Sequence, residues 1–161
     1  MKNIVLFRID DRLIHGQVMT QWARVCQPTE IMVIDDATYA DSFMSEVLMM
    51  AVPREFKGNV LDVESACEYL KEPSAGERLL VLVKIPKVVE QLADKGIEIK
   101  KLNVGGMGRK AGRTTLYRNI SSSEEENNCM LRLVERGVIV TIQNVPEDKE
   151  VELSKLLRGG N

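Results

Sequence analysis

The sequence predicts an α/β fold: a three-layer, doubly wound, mostly parallel sheet of six or seven strands with helices on both faces. Three observations carry this. Short runs rich in Val, Ile and Leu recur along the 161 residues, and segments of helical spacing separate them. The runs are largely apolar throughout, as strands covered on both faces must be. The alternation of strand and helix is the pattern of parallel strands joined by helical crossovers. The length suits one domain, expected over residues 1–157, with 158–161 as a flexible tail.

The elements follow in order. IVLFRI (4–9) is the first strand, and Val18, Trp22 and Val25 then share one face of a helix. EIMVID (30–35) is the second strand; Phe43, Val47 and Met50 mark the inner face of a helix that Pro53 ends. GNVLDV (58–63) leads into Val63, Ala66, Cys67 and Leu70, spaced i, i+3, i+4, i+7. LLVLVK (79–84) precedes Pro86, a favoured first-turn residue; Val89, Leu92 and Ala93 face inward, and Gly96 is placed to end the helix. IEIKKLNV (97–104) is the fifth strand. SSSEEE (121–126) offers a capping box, Ser122 with Glu125 or Ser123 with Glu126, to a helix carrying Met130, Leu133 and Val134 inward and stopping at Gly137. VIVTIQ (138–143) is the sixth strand, and a last helix from Val151 to Leu157 buries Leu153, Leu156 and Leu157.

Composition excludes several classes of function. With 22 Lys+Arg against 24 Asp+Glu, the net charge of -2 provides no global basic field for nucleic acid or a membrane surface. Cys26, Cys67 and Cys129 are odd in number and far apart, which fits neither a disulfide framework nor a tetrahedral metal site. No signal peptide and no membrane span are legible, so a cytoplasmic location is expected. A single histidine, His15, rules out any site that needs two. No metal and no cofactor are expected. Met19, Met44, Met49, Met50 and Met130 read as core filler.

In a doubly wound sheet, ligands bind beyond the carboxyl ends of the strands, which directs attention to the loops 10–16, 35–37 and 104–114. In the first, His15 falls at or just before a helix start. Unpaired N–H groups and the positive end of the helix dipole there favour a neutral, nucleophilic ring and welcome an anion attached to it. Arg8 and Arg12 can supply charge-assisted bonds to phosphoryl oxygens, Asp10 or Asp11 can orient the ring, and Gly16 permits close backbone approach. A lone histidine or a bare Asp-Asp-Arg turn is ordinary; their combination in a loop after the first strand points to chemistry. Residues 99–123 hold six cations (Lys100, Lys101, Arg109, Lys110, Arg113, Arg118) and no acid. Within them Gly105-Gly-Met-Gly108 can form an anion nest, with Gly106 and Met107 inside it. The spacing fits neither a Walker A loop nor GxGxxG.

Arg8-Ile-Asp-Asp-Arg-Leu-Ile-His-Gly-Gln-Val18, followed by Trp22, resembles the active-site signature of the IIB subunits of the mannose/fructose/sorbose family of the sugar phosphotransferase system (PTS). Ile34-Asp-Asp36, Pro53 and Leu102-Asn-Val-Gly-Gly-Met107 also fit that family's pattern, so the resemblance spans essentially the whole chain. It implies that His15 accepts a phosphoryl group on Nδ1 from a histidine of a IIA partner. The group then passes to a sugar entering through membrane IIC and IID subunits, which places the chain peripherally at the membrane. It also implies that the fifth strand lies beside the first, bringing Gly105–Gly108 opposite His15, and it makes a homodimer reasonable. Arg109, Lys110 and Arg113 would dock an acidic face of the partner. No fused IIA segment is legible. The sugar, and the roles of Asp11, Asp35, Asp36 and Lys84, stay open.

Three other readings compete. One is a nucleotide-binding regulatory module using Gly105–Gly108 and Asp35, although Asp35-Asp36 reads better as a helix cap and turn. A single-stranded nucleic-acid binder would need interleaved aromatics, and only Tyr117 lies in the basic stretch. A relative acting mainly in regulation, through its phosphorylation state, has the same sequence signature.

Overall fold

The computed structural model describes residues 1–157; the expected tail, 158–161, lies outside the described residues. The strands are β1 Ile4–Asp10, β2 Glu30–Ile34, β3 Lys57–Leu61, β4 Leu79–Val83, β5 Lys101–Gly106, β6 Thr114–Tyr117, β7 Ile120–Ser122, β8 Ile139–Ile142 and β9 Val151–Glu152. The first helix, α1, opens with a π-helical turn over Val18–Trp22 and continues as α-helix over Ala23–Cys26. The others are α2 Asp36–Ala40, α3 Ser42–Met50, α4 Val63–Lys71, α5 Pro86–Asp94, α6 Glu124–Glu135 and α7 Leu153–Leu157. The main sheet has seven strands in the order β3-β2-β4-β1-β5-β8-β9, and β6-β7 forms a separate antiparallel hairpin. Only β9 runs antiparallel within the main sheet. The expected α/β architecture is therefore present. No helix among the described residues is long and apolar enough to cross a membrane.

Period-two alternation divides the core between the two faces. Along β4, Leu79, Val81 and Val83 enter the layer beneath α4, α5 and α6, while Leu80 and Leu82 enter the layer with Val18 of α1 and Leu48 of α3. In β2, Met32 and Ile34 face the first layer and Ile31 and Val33 the second. All five residues of each of these strands are buried, which is why they read as continuous apolar runs.

Several expectations need correction. Phe43, Val47 and Met50 are exposed, at 70%, 43% and 85%. In SFMSEVLMM apolar residues surround the helix, so their spacing has no unique phase, and it is Leu48 and Met49 that pack on the sheet. Met50, and Met44 at 43% exposure, are therefore not core filler. Val25 is 62% exposed, because the wider π turn rotates later residues backward and brings Ala23 inward instead. Asp62 and Val63 are not strand: Asp62 caps α4 through a 2.8 Å bond from the Ser65 N–H. β5 begins only at Lys101 and continues to Gly106, and Val151–Glu152 pairs as strand before α7 begins. Of the two possible capping boxes, Ser123 with Glu126 forms.

A buried carboxylate, Glu90, joins α5 to α6, beside a more exposed pair between Arg136 and Asp94 at 2.6 Å. Arg132 donates to both oxygens of Glu90, at 2.7 and 3.1 Å, and Lys87 adds a 3.2 Å bond. The Arg132 bond, against some opposition from burial, holds the Glu90 carboxyl at about 2 instead of 4.5. A carboxyl lowered in the fold stabilises it above the unfolded value and loses that contribution as pH falls through the folded one. Glu90→Gln is expected to lower the thermal midpoint at neutral pH and to flatten its decline between pH 4.5 and 2. A decline as steep as in the unsubstituted protein would count against this contact.

Candidate functional site

β1 ends in four buried residues, and its last, Asp10, starts a tight turn. The Leu13 N–H donates to the Asp10 carbonyl at 2.9 Å, and the Arg12 N–H to Asp10 Oδ1 at 3.1 Å. Leu13 occupies left-handed backbone, φ +58°, with its side chain buried against the α1 face of the core. That packing holds a conformation that is otherwise costly for a branched residue. The turn delivers His15 to the helix start, where its carbonyl accepts the Met19 N–H at 3.1 Å. The amides of the first turn ahead of that bond point outward from the helix end.

The imidazole is held from one side. Nε2 lies 2.7 Å from Asp10 Oδ2, and Nδ1 makes no hydrogen bond among the described residues. A carboxylate only accepts, so Nε2 is the donor to Asp10, and in the neutral ring Nδ1 keeps its lone pair. Of the two acids expected to orient the ring, it is Asp10 that does so. Asp11 instead accepts the Gly108 N–H at 2.8 Å. Arg12 is half-exposed, its Nε 3.6 Å from Asp10 Oδ1, so its guanidinium stands at the surface beside the ring.

Arg8 departs from expectation. It is fully buried, and all five of its N–H donors are engaged. Nε and Nη2 go to Asp10 Oδ2 at 3.4 and 3.2 Å; Nη1 goes to Asn103 Oδ1 at 2.6 Å and the Gln143 carbonyl at 3.1 Å; Nη2 also reaches the Asn144 carbonyl at 3.0 Å. The Trp22 ring lies 5.2 Å from the guanidinium carbon, and its N–H donates to the same Asn144 carbonyl at 2.9 Å. Arg8 thus has no donor left for a phosphoryl oxygen. Gln143 and Asn144 were not anticipated as parts of the site; Trp22 and Asn103 lie in the two motifs quoted above, but neither had been given a role. The signal for Asn103 was a polar residue inside an apolar strand; Asn144 acts through its backbone and left none.

The glycines of β5 serve close approach. Gly106 pairs with Asp10 across the β1-β5 ladder. A Cβ on Gly105 would fall within the Arg8 guanidinium, and one on Gly106 would sit 2.5 Å from Asp10 Oδ1. The Gly108 amide is taken by Asp11, and Met107 is buried in the core, so an open anion nest is not what this loop forms. Gly16, by contrast, has open space where a Cβ would go. Gly105→Ala is expected to cost about 3–5 kcal/mol by displacing a buried ion pair, and Gly16→Ala to change stability by about 1 kcal/mol at most. Denaturant unfolding of both variants measures the contrast.

The basic stretch is divided. Arg113 is buried and bidentate to Glu126, at 2.9 and 2.8 Å, with further bonds to the Gly108 carbonyl and Asp11. The Glu126 bond raises the Arg113 pKa, so this residue clasps the loop and is not free to dock a partner. Arg109 and Lys110 are exposed near Gly108. Lys101 pairs with Glu150 at 2.8 Å. Asp35 caps α2, accepting from the Thr38 N–H and hydroxyl at 3.0 and 2.6 Å with Lys84 3.5 Å away; Asp36 accepts the Val63 N–H. Nothing in this arrangement favours a nucleotide site.

The comparisons with known proteins agree with the geometry. The family model described as "PTS system sorbose subfamily IIB component" matches residues 4–161. The mannose-specific EIIAB component of Escherichia coli (strain K12) is 34% identical over 155 residues, 96% of this chain and 48% of that protein; the chain thus spans about half the length of that relative. The fructose-specific EIIB component of Bacillus subtilis (strain 168) is 30% identical over 159 residues, covering 98% of both. The crystal structure of the IIBSor domain of the sorbose permease from Klebsiella pneumoniae superposes with a TM-score of 0.92 at 30% identity, covering 99% of this chain and 98% of that one. With a family model across nearly its whole length, and the fold and the His15 loop described above, the chain belongs to the sorbose-subfamily IIB components of the PTS.

Proposed function

We propose that the chain is a phosphoryl carrier of sugar uptake, a protein-Nπ-phosphohistidine–sugar phosphotransferase component working between a IIA donor and membrane IIC and IID subunits. The observation that carries this is the one-sided hold on His15: Nε2 is tied to Asp10, and Nδ1 is left with its lone pair at a helix start. In the first transfer that lone pair attacks phosphorus while the donor's N–P bond breaks and its electrons return to the donor ring. In the second, a sugar hydroxyl oxygen forms the O–P bond, the Nδ1–P bond breaks, and the hydroxyl proton leaves on the acceptor side. Positioning and charge stabilisation supply the catalysis. Arg12 and the first-turn amides face the equatorial oxygens, and Asp10 keeps its hydrogen bond from Nε2 while the ring carries the phosphoryl group.

Arg109 and Lys110 support docking of an acidic partner face, as exposed cations beside the loop that touches Asp11. We assign the working location to the cytoplasm, at the membrane only through IIC and IID, and the working unit to the single domain 1–157. The test is incubation with a phosphorylated IIA protein, followed by mass spectrometry and phosphorus NMR. One acid-labile phosphoryl group on His15 Nδ1 is expected. A phosphoryl group on another residue, or none, would overturn the assignment.

A further inference from the structure

We propose that Arg8 is a positioning residue that determines which nitrogen of His15 carries the phosphoryl group and neutralises the carboxylate that holds the ring; this rests on the phosphoryl-carrier reading above. Asp10 is fully buried and held at both oxygens. Oδ1 takes the Arg12 N–H, and Oδ2 is shared between His15 Nε2 and two donors of Arg8. Without Arg8, Oδ2 would be restrained by the imidazole alone, and the carboxylate could turn away from Nε2. The ring would then be free to place its proton on Nδ1, which would close the acceptor.

Charge gives a second, separable effect. A buried carboxylate beside the ring would repel an incoming phosphoryl group through a low-dielectric medium. The Arg8 guanidinium, 3.2 Å from that carboxylate, makes the pair neutral as a unit. Burial lowers the Arg8 pKa, and the adjacent Asp10 carboxylate opposes that shift. Arg8 itself touches neither donor nor acceptor: its donors are all engaged, and three of its bonds anchor it to Asn103, Gln143 and Asn144 on and beyond the neighbouring strands. It acts on the reaction through Asp10.

Phosphoramidate, a small chemical donor that needs no partner protein, tests this. The unsubstituted protein is expected to take up phosphoryl on Nδ1 alone, as read by phosphorus NMR. Arg8→Met is expected to slow uptake about tenfold or more and to yield Nε2-phosphohistidine beside the Nδ1 form. Arg8→Lys, which restores the charge without the planar fork, is expected to recover rate while the mixture of isomers persists. A folded Arg8→Met protein that reacts at Nδ1 alone, at the original rate, would overturn the proposal. Nitrogen NMR of the unsubstituted protein tests the tautomer on which the proposal rests, whether or not the variants fold, because His15 is its only histidine. A protonated Nε2 with a bare Nδ1 is expected; a protonated Nδ1 would overturn the proposal. Refusal of phosphoryl from a IIA donor alongside Nδ1-selective reaction with phosphoramidate would overturn the carrier reading instead.

Discussion

His15→Ala is expected to abolish acceptance of phosphoryl from a IIA donor while leaving the chain folded. The ring contributes one hydrogen bond, to Asp10, and that carboxylate keeps its Arg8 and Arg12 partners when the ring is gone. The loss of stability should therefore be about 1 kcal/mol, that of a single bond whose buried acceptor remains satisfied. No other imidazole exists in the chain to take over the role. Acid-labile phosphate measured on the variant should fall to background, with a thermal midpoint close to that of the unsubstituted protein. Undiminished labile phosphate would remove His15 from the mechanism.

Asp10→Asn is expected to come next in size, lowering the transfer rate by roughly 10³–10⁴-fold, as tautomer errors do at other oriented histidines. The substituted amide can turn its NH₂ toward Nε2, which makes Nε2 the acceptor and places the proton on Nδ1. The nucleophilic lone pair is then lost although the ring remains in place. The same change strips Arg8 of its counter-ion while leaving Asn103, Gln143 and Asn144 as its partners. Stopped-flow transfer from a phosphorylated donor, combined with nitrogen NMR of the ring, separates the tautomer effect from unfolding. Wild-type rates with an unchanged ring would show that Asp10 does not set the tautomer.

The elements that could be read from the sequence are those with a single physical signature. β2 and β4 are buried on both faces and stand out as apolar runs; α4 has one inward stripe, and all four of its expected residues are buried. β7 and β9 escaped notice because they have three and two residues, too few for a period to register, and β6 because its Thr114 and Thr115 are polar and exposed. At the site, His15, Asp10 and Arg12 were legible as a group because they lie within one loop. What could not be read was the division of labour between like residues. Arg8 and Arg12 are equivalent on paper, yet β1 carries the first into the interior and the turn carries the second to the surface. Arg113 differs from Arg109 and Lys110 only because the Glu126 carboxylate lies within its reach. Gly105 and Gly106 suggested a cradle for an anion, and they turn out to make room for a guanidinium and a carboxylate of the chain itself.

The Arg8 anchorage also bears on when the protein becomes competent. Its bond to the Asn144 carbonyl closes a loop of 136 residues, and the Trp22 bond to the same oxygen closes one of 122. His15 leaves the ribosome early, but the frame that orients it is finished only when the last parallel strand has docked. Contacts so distant in sequence form late and slowly. A nascent or partly unfolded chain would therefore carry His15 without the long-range bonds that anchor Arg8 and Trp22 around it.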